Sequence, residues 1–211
     1  MSDGTGGRDL SIQVEQLAVL NWLGEVGVTG VNERLEGFVS GNVSVISERA
    51  TSGYLSPETT EVQFDADNRV GARVQLRDRP AGYMLVLFPP ASANRATALL
   101  LRDAVDDLST VSMDMARDAL LELCNMIANG FLDEWADLVE SEIGVTTPQF
   151  VSNTEREIMR SMATRHDDVG LYITTRLRLS DQDVVASLYV FPTQEEFVES
   201  VNGIDLGVIR Q

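Results

Sequence analysis

Two carboxylates and two amides recur at helical spacing in a mostly apolar segment, "RDALLELCNMIANGFLDEW", which covers residues 117–135. They are Asp118, Glu122, Asn125 and Asn129, separated by four, three and four positions, so they form one stripe on a helix. A carboxylate can pair with a cation on a partner. An amide presents a donor and an acceptor together without titrating. It can therefore hold a water molecule in one orientation at any pH.

The same stripe is also typical of the solvated side of an amphipathic helix. In that interpretation Asp118 lies near the helix start and complements the helix dipole. Three features favour a more specific role. Asparagine is a poorer helix former than Lys, Glu or Gln, apolar residues flank the stripe closely, and the carboxylates precede the amides. Both interpretations stay open on these residues alone.

The elements that would position the stripe occur twice in the chain. Phe88-Pro89 and Phe191-Pro192 are 103 residues apart, and each ends an apolar run that follows an alternating strand and precedes a helix. The helix that opens the first half aligns with the segment above at an offset of 100, which matches Leu20 to Leu120 and Leu23 to Leu123. Each half then reads as helix, strand, hairpin and helix, and the second half adds a helix at "NTEREIMRSMATR".

This duplication predicts an α+β fold, within the broad α/β class, with pseudo-twofold symmetry. We expect a largely antiparallel sheet with the two long helices side by side on it. A flexible tail is expected over residues 1–9. A single domain is expected over 10–211, made of repeats at about 10–110 and 111–211.

Composition narrows the class of protein. The net charge is −17 and all 16 basic residues are arginine, which is typical of a salt-adapted microbe, a haloarchaeon above all. The acidic balance argues against nucleic-acid binding. We expect no membrane insertion and a cytoplasmic location, because no long apolar run and no signal-peptide pattern occurs. One cysteine, Cys124, and one histidine, His166, argue against zinc or triad chemistry, and no metal site is expected.

Asp118-x-x-x-Glu122-x-x-Asn125, followed by Pro148 after 22 intervening residues, resembles the signature of the CheC/CheX/FliY family of chemotaxis phosphatases, CheC type. The resemblance extends over roughly residues 10–209. It implies removal of the aspartyl phosphate from a phosphorylated CheY-like response regulator by an inserted helix. Glu122 would pair with the regulator's lysine, and Asn125 would hold the attacking water. Asp118 would be accessory and Pro148 structural. The protein would need no cofactor of its own, because the regulator supplies Mg²⁺.

The first half departs from this signature. At the offset of 100, Trp22 stands in the place of Glu122, Glu25 in that of Asn125, Ala18 in that of Asp118 and Glu48 in that of Pro148. Glu25 would repel a phosphoryl group, so we expect this site to be degenerate and inactive. Trp22 is then either a core residue or an anchor in a partner contact.

The loss of one site leaves a second hypothesis open. The protein could be a non-catalytic adaptor that keeps the fold and binds the CheD deamidase or the motility switch. The resemblance offers CheD as a further partner, without a short motif that would identify the contact.

Overall fold

A computed structural model describes residues 14–36, 44–102, 104–166, 170–180, 182–193 and 196–199; the predicted tail over 1–9 lies outside them. The helices are α1 (Val14–Glu36), α2 (Thr60–Gln63), α3 (Pro90–Leu101), α4 (Met113–Leu138) and α5 (Glu155–Arg165), with a 3-10 turn at Leu108–Thr110. The strands are β1 (Val45–Tyr54), β2 (Asn68–Leu76), β3 (Gly82–Phe88), β4 (Gln149–Thr154), β5 (Leu171–Leu179) and β6 (Val184–Pro192).

The six strands form one antiparallel sheet in the order β1-β5-β6-β3-β2-β4. This order reads the same from either edge when each strand is replaced by its counterpart in the other half. Each half contributes a hairpin to the centre, and its first strand pairs with the other half's hairpin. The exchange ties both halves into one sheet. The predicted α+β architecture is confirmed, whereas the boundary between repeats near residue 110 stays a prediction.

The two long helices pack side by side and approach most closely at Gly30 and Gly130. A Cβ added at Gly30 would lie 2.0 Å from the carbonyl oxygen of Gly130, and one added at Gly130 would lie 2.6 Å from that of Gly30. No side chain fits between such backbones. The two glycines are 100 residues apart, so the closest approach joins equivalent positions of the two halves. Beside it, Trp135 donates its indole N–H to the carbonyl of Leu23 at 3.0 Å.

The sheet has a core on each face. The larger one lies beneath α1, α3 and α4, and the smaller lies beneath α5 with Leu85, Leu87 and Phe191 of the central strands. The two faces of the sheet are therefore covered by different helices. Packing in the larger core holds α4 against β2 and β3. No helix within the described ranges is long and apolar enough to cross a membrane.

The structure differs from the predicted elements in two ways. The first half also has a helix between its first strand and its hairpin, the single turn α2, where the second half has α5. One turn is too short to produce a sequence pattern. In addition, the predicted segment "NTEREIMRSMATR" starts at residue 153, whereas α5 begins at Glu155. Thr154 is the N-cap of this helix, because its side chain accepts a hydrogen bond from the backbone N–H of Glu157.

Candidate functional site on the fourth helix

The predicted stripe lies along an outer edge of α4. Asp118 and Glu122 are exposed and Asn125, one turn further on, is half-buried. The opposite side of the helix is anchored in the main core, where Leu120, Leu123 and their neighbours are buried. Burial of Glu122 and Asn125 in the seam between α1 and α4 would have excluded contact with a partner. Both instead remain accessible on a helix whose other faces are fixed by packing.

The helix start changes the interpretation of Asp118. Ser112 caps α4 by accepting a hydrogen bond from the backbone N–H of Met115 at 3.2 Å, so the helix begins at Met113. The acidic residue of its first turn is Asp114. Asp118 lies a turn further along, where the effect of the helix dipole has fallen off. Its place in the stripe is therefore not explained by dipole complementation.

Asn129 has a contact that the sequence interpretation missed. Its side-chain nitrogen donates to the backbone oxygen of Asn125 at 2.7 Å and to Oδ1 of Asn125 at 3.0 Å. Both side chains are half-buried. The sequence offered one signal for this pair, since residues four apart are neighbours on a helix and two amides at that spacing can bond.

Pro148 lies outside the helix that carries the stripe. It immediately precedes β4, an edge strand that pairs with β2, and is half-buried. The guanidinium of Arg117 lies 4.7 Å from the ring centre of Phe150 and connects the start of α4 to this strand. The structure thus gathers Asp118, Glu122 and Asn125 on one helix and leaves Pro148 on the chain that enters the neighbouring strand.

Apolar side chains are exposed at the start of α4, and the sequence analysis did not single them out. Met113 is 85% exposed and Met115 is 42% exposed. Met115 precedes Asp118 by three positions and Glu122 by seven, so it extends the same edge of the helix toward its N-terminus. The polar stripe therefore has an apolar continuation that a partner could cover.

The corresponding region of α1 has a different character. Ala18 and Glu25 are exposed, and Trp22 is half-buried and packs against the main core. Trp22 is thus a boundary residue of the core whose remaining surface faces outward. Glu48 lies in the edge strand β1 and binds Arg176 at 3.0 Å and also Arg178. These ion pairs connect β1 to the neighbouring strand β5, which is a structural role.

Two titratable groups outside the stripe, Cys124 and Glu134, have raised pKa values for reasons that do not indicate reactivity. Cys124 is fully buried, and burial raises the pKa of its thiol, which suppresses the nucleophilic thiolate. Burial, followed by the nearby carboxylates of Glu33, Asp137 and Asp133, raises the pKa of Glu134 on the far half of α4. No cluster of three or more potential metal-binding side chains occurs among the residues that the structure describes.

Comparison with known proteins gives this helix a context. A family profile described as "Chemotaxis phosphatase CheX" matches residues 70–170, which contain the whole stripe. CheC1 of Halobacterium salinarum, for which a CheY-P phosphatase function has been proposed, is 27% identical over 194 residues, covering 92% of this chain and 98% of that protein. The chain is thus similar, over residues 70–170 by the profile and over most of its length by the relative, to the CheC/CheX/FliY-like chemotaxis phosphatases. The haloarchaeal source of this relative is consistent with the acidic, lysine-free composition of the present chain.

Solved structures share the fold. FliY from Thermotoga maritima superposes with a TM-score of 0.69 at 8% identity, covering 90% of this chain and 98% of the matched chain. A CheX–CheY complex from Borrelia burgdorferi that contains BeF3 and Mg²⁺ gives a TM-score of 0.50 at 16% identity, covering 80% of this chain and 96% of the matched chain. At these identities the likeness concerns the architecture of the chain, and its chemistry has to be argued from its own residues.

Proposed function

We propose that this chain is a protein phosphatase that hydrolyses the aspartyl phosphate of a CheY-like response regulator by inserting the outer edge of α4 into the regulator's active site. The observation that carries the proposal is the accessible Glu122–Asn125 pair, one turn apart, on a helix held rigidly by its buried faces. The similarity to chemotaxis phosphatases and the reported CheX–CheY complex support a regulator as the partner. A cytoplasmic location belongs to the same proposal, because such regulators are cytoplasmic signalling proteins.

The two residues have separate roles. The carboxylate of Glu122 pairs with a lysine of the regulator, which sets the position of α4 over the phosphorylated aspartate. The amide of Asn125 then hydrogen-bonds a water molecule in line with the phosphorus. The water oxygen forms the new bond to phosphorus, the bond between phosphorus and the aspartyl oxygen breaks, and inorganic phosphate and the free carboxylate result. Holding the water in this geometry is the main contribution a protein can make to such a reaction.

Mg²⁺ enters the proposal as part of the regulator, where it neutralises charge on the phosphoryl oxygens. The absence of a positive charge on the stripe suits this division, because the phosphatase then contributes position and leaves charge stabilisation to the substrate complex. The neutral amide of Asn125 is also suitable, since a carboxylate at the same place would repel the phosphoryl group. Asp118 is an accessory residue at the edge of the contact, and Pro148 fixes the chain entering β4.

The direct test is phosphate release from a phosphorylated regulator with Mg²⁺ at molar KCl. We expect Asn125→Ala to lower kcat by roughly 100-fold, because the water loses its position. We expect Glu122→Ala to raise KM by roughly 10-fold or more, as a charged hydrogen bond to the partner is lost. Rates equal to wild type in both variants would exclude this site.

An adaptor role is the alternative, and the replaced stripe on α1 is the observation that favours it. An adaptor would bind CheD or the motility switch through surfaces such as the exposed part of Trp22. It would bind without accelerating phosphate release. Recovery of CheD from cell extract, together with dephosphorylation at the regulator's own rate, would support the adaptor and contradict the phosphatase.

A further inference from the structure

We propose that Asn129 is a positioning residue for the phosphatase reaction, which holds the side-chain amide of Asn125 in one of its two flipped orientations. The inference rests on the proposed function of Asn125. The signature Asp118-x-x-x-Glu122-x-x-Asn125 does not include Asn129. Its evidence is the hydrogen-bond geometry between two half-buried amides on adjacent turns of α4.

The geometry itself fixes which way each amide points. The backbone oxygen of Asn125 can only accept, so the Asn129 atom at 2.7 Å from it has to be the donor, Nδ2. That nitrogen carries two hydrogens, and the second is directed to a side-chain atom of Asn125 at 3.0 Å. Since a donor must meet an acceptor, that atom is Oδ1. The backbone thereby determines the orientation of Asn129, and Asn129 determines that of Asn125.

This chain of contacts has a chemical consequence for the water. One lone pair of the Asn125 Oδ1 is engaged by Asn129, which leaves the second to accept an O–H of the attacking water. The Nδ2 of Asn125 remains as a donor for a phosphoryl oxygen. A flipped amide would exchange these two positions and direct N–H groups toward the water. Asn129 therefore selects the orientation in which the water's lone pair is free to attack phosphorus.

The first half provides a matched control. Thr29 is the counterpart of Asn129 at the offset of 100 and is exposed on α1, where Glu25 replaces the amide. Thr29→Ala removes the side chain at the position of α1 that is equivalent to Asn129 on α4, and it should leave the rate of phosphate release unchanged. Asn129→Asp is the sharper variant, because a carboxylate keeps the shape of the side chain but cannot donate to either oxygen of Asn125.

The test measures kcat and KM for phosphate release by wild type, Asn129→Ala, Asn129→Asp, Asn125→Ala and Thr29→Ala. Melting temperatures are recorded under the same conditions. We expect Asn129→Ala to lower kcat about 3- to 10-fold, corresponding to one hydrogen bond, with KM within twofold of wild type. Asn129→Asp should lower kcat at least as much, and Thr29→Ala should match wild type. The side-chain amide signals of Asn125 in a ¹H–¹⁵N spectrum should shift in both Asn129 variants.

Three kinetic results would overturn the inference. One is wild-type kcat in both Asn129 variants while Asn125→Ala is slow, which rejects the role of Asn129 and keeps the proposed function. Another is a loss confined to KM, which assigns Asn129 to docking. The third is wild-type activity in Asn125→Ala, which rejects the proposed function and this inference together. Unmoved amide signals of Asn125 in a folded Asn129→Ala would contradict it independently of activity.

Discussion

The two long helices occupy equivalent places in the fold and present different surfaces. On α4 the outward stripe is Asp118, Glu122, Asn125 and Asn129, and on α1 the same positions are Ala18, Trp22, Glu25 and Thr29. Their inward residues correspond much better, since the leucines at 20 and 120 and at 23 and 123 are all buried. Packing and the proposed chemistry therefore depend on different faces of these helices. The inward face is alike in both halves, whereas the polar stripe occurs only in the second.

The largest expected effect concerns the face that both halves share. Gly30→Ala and Gly130→Ala each push a Cβ into the facing backbone oxygen, which cannot move without separating the helices. We expect a loss of about 3 kcal/mol or more in the free energy of unfolding for either variant, measured by denaturant titration. Gly144→Ala is the control, because its nearest contact is the far end of the Asp78 side chain. A tolerated alanine at 30 or 130 would show that the close crossing is not required.

Trp22 tests the face on which the halves differ. Its side chain is half-buried against the main core, so Trp22→Ala should lower the free energy of unfolding by about 2 kcal/mol. Once the variant is folded at molar salt, kcat and KM for phosphate release should match wild type. A normal stability combined with lost binding of a partner would instead assign Trp22 to an interface and favour the adaptor.

A smaller effect is expected at Glu134, on the second half's helix. Burial and neighbouring carboxylates raise its pKa in the folded state, so the protonated form is favoured by folding. Its contribution to stability is full below the unfolded pKa of about 4.3 and is lost as pH rises through the folded pKa. Glu134→Gln should therefore raise the melting temperature at pH 7 and leave it unchanged near pH 4.

Salt separates the two causes of the raised pKa of Glu134, which are burial and repulsion by neighbouring carboxylates. Molar KCl screens the repulsion from Glu33, Asp133 and Asp137 but leaves the burial of Glu134 unchanged. The difference between Glu134→Gln and wild type at pH 7 should shrink, and the melting temperature of wild type should rise with KCl because its net charge is −17. A melting temperature that falls with KCl would contradict the salt-adapted interpretation.

The sequence predicted what depends on local pattern and repetition. The offset of 100 between the halves, the two long helices and the antiparallel hairpins all follow from apolar periodicity and the paired Phe-Pro segments. The exchange of first strands between halves did not, because pairing of β1 with β5 is a contact between distant segments that no local pattern encodes. The single turn α2 is too short to leave a periodic signal.

The candidate site shows the same limit. Spacing and resemblance to a signature single out Glu122 and Asn125; both are accessible in the structure, and their roles stay a prediction. The hydrogen bonds of Asn129 depend on side-chain geometry that spacing permits but does not require, so the sequence alone leaves open whether Asn129 is merely solvated. Trp22 stayed ambiguous between core and surface because a half-buried residue at the rim of a core has both characters.

The central claim is that the second half alone carries the chemistry, and one matched pair of variants tests it most directly. Asn125→Ala and Glu25→Ala remove the side chain at equivalent positions of α4 and α1. In single-turnover phosphate release from a phosphorylated regulator with Mg²⁺ at molar KCl, we predict a rate roughly 100-fold below wild type for Asn125→Ala and an unchanged rate for Glu25→Ala. Equal rates for the two variants, whether both slow or both normal, would contradict the account.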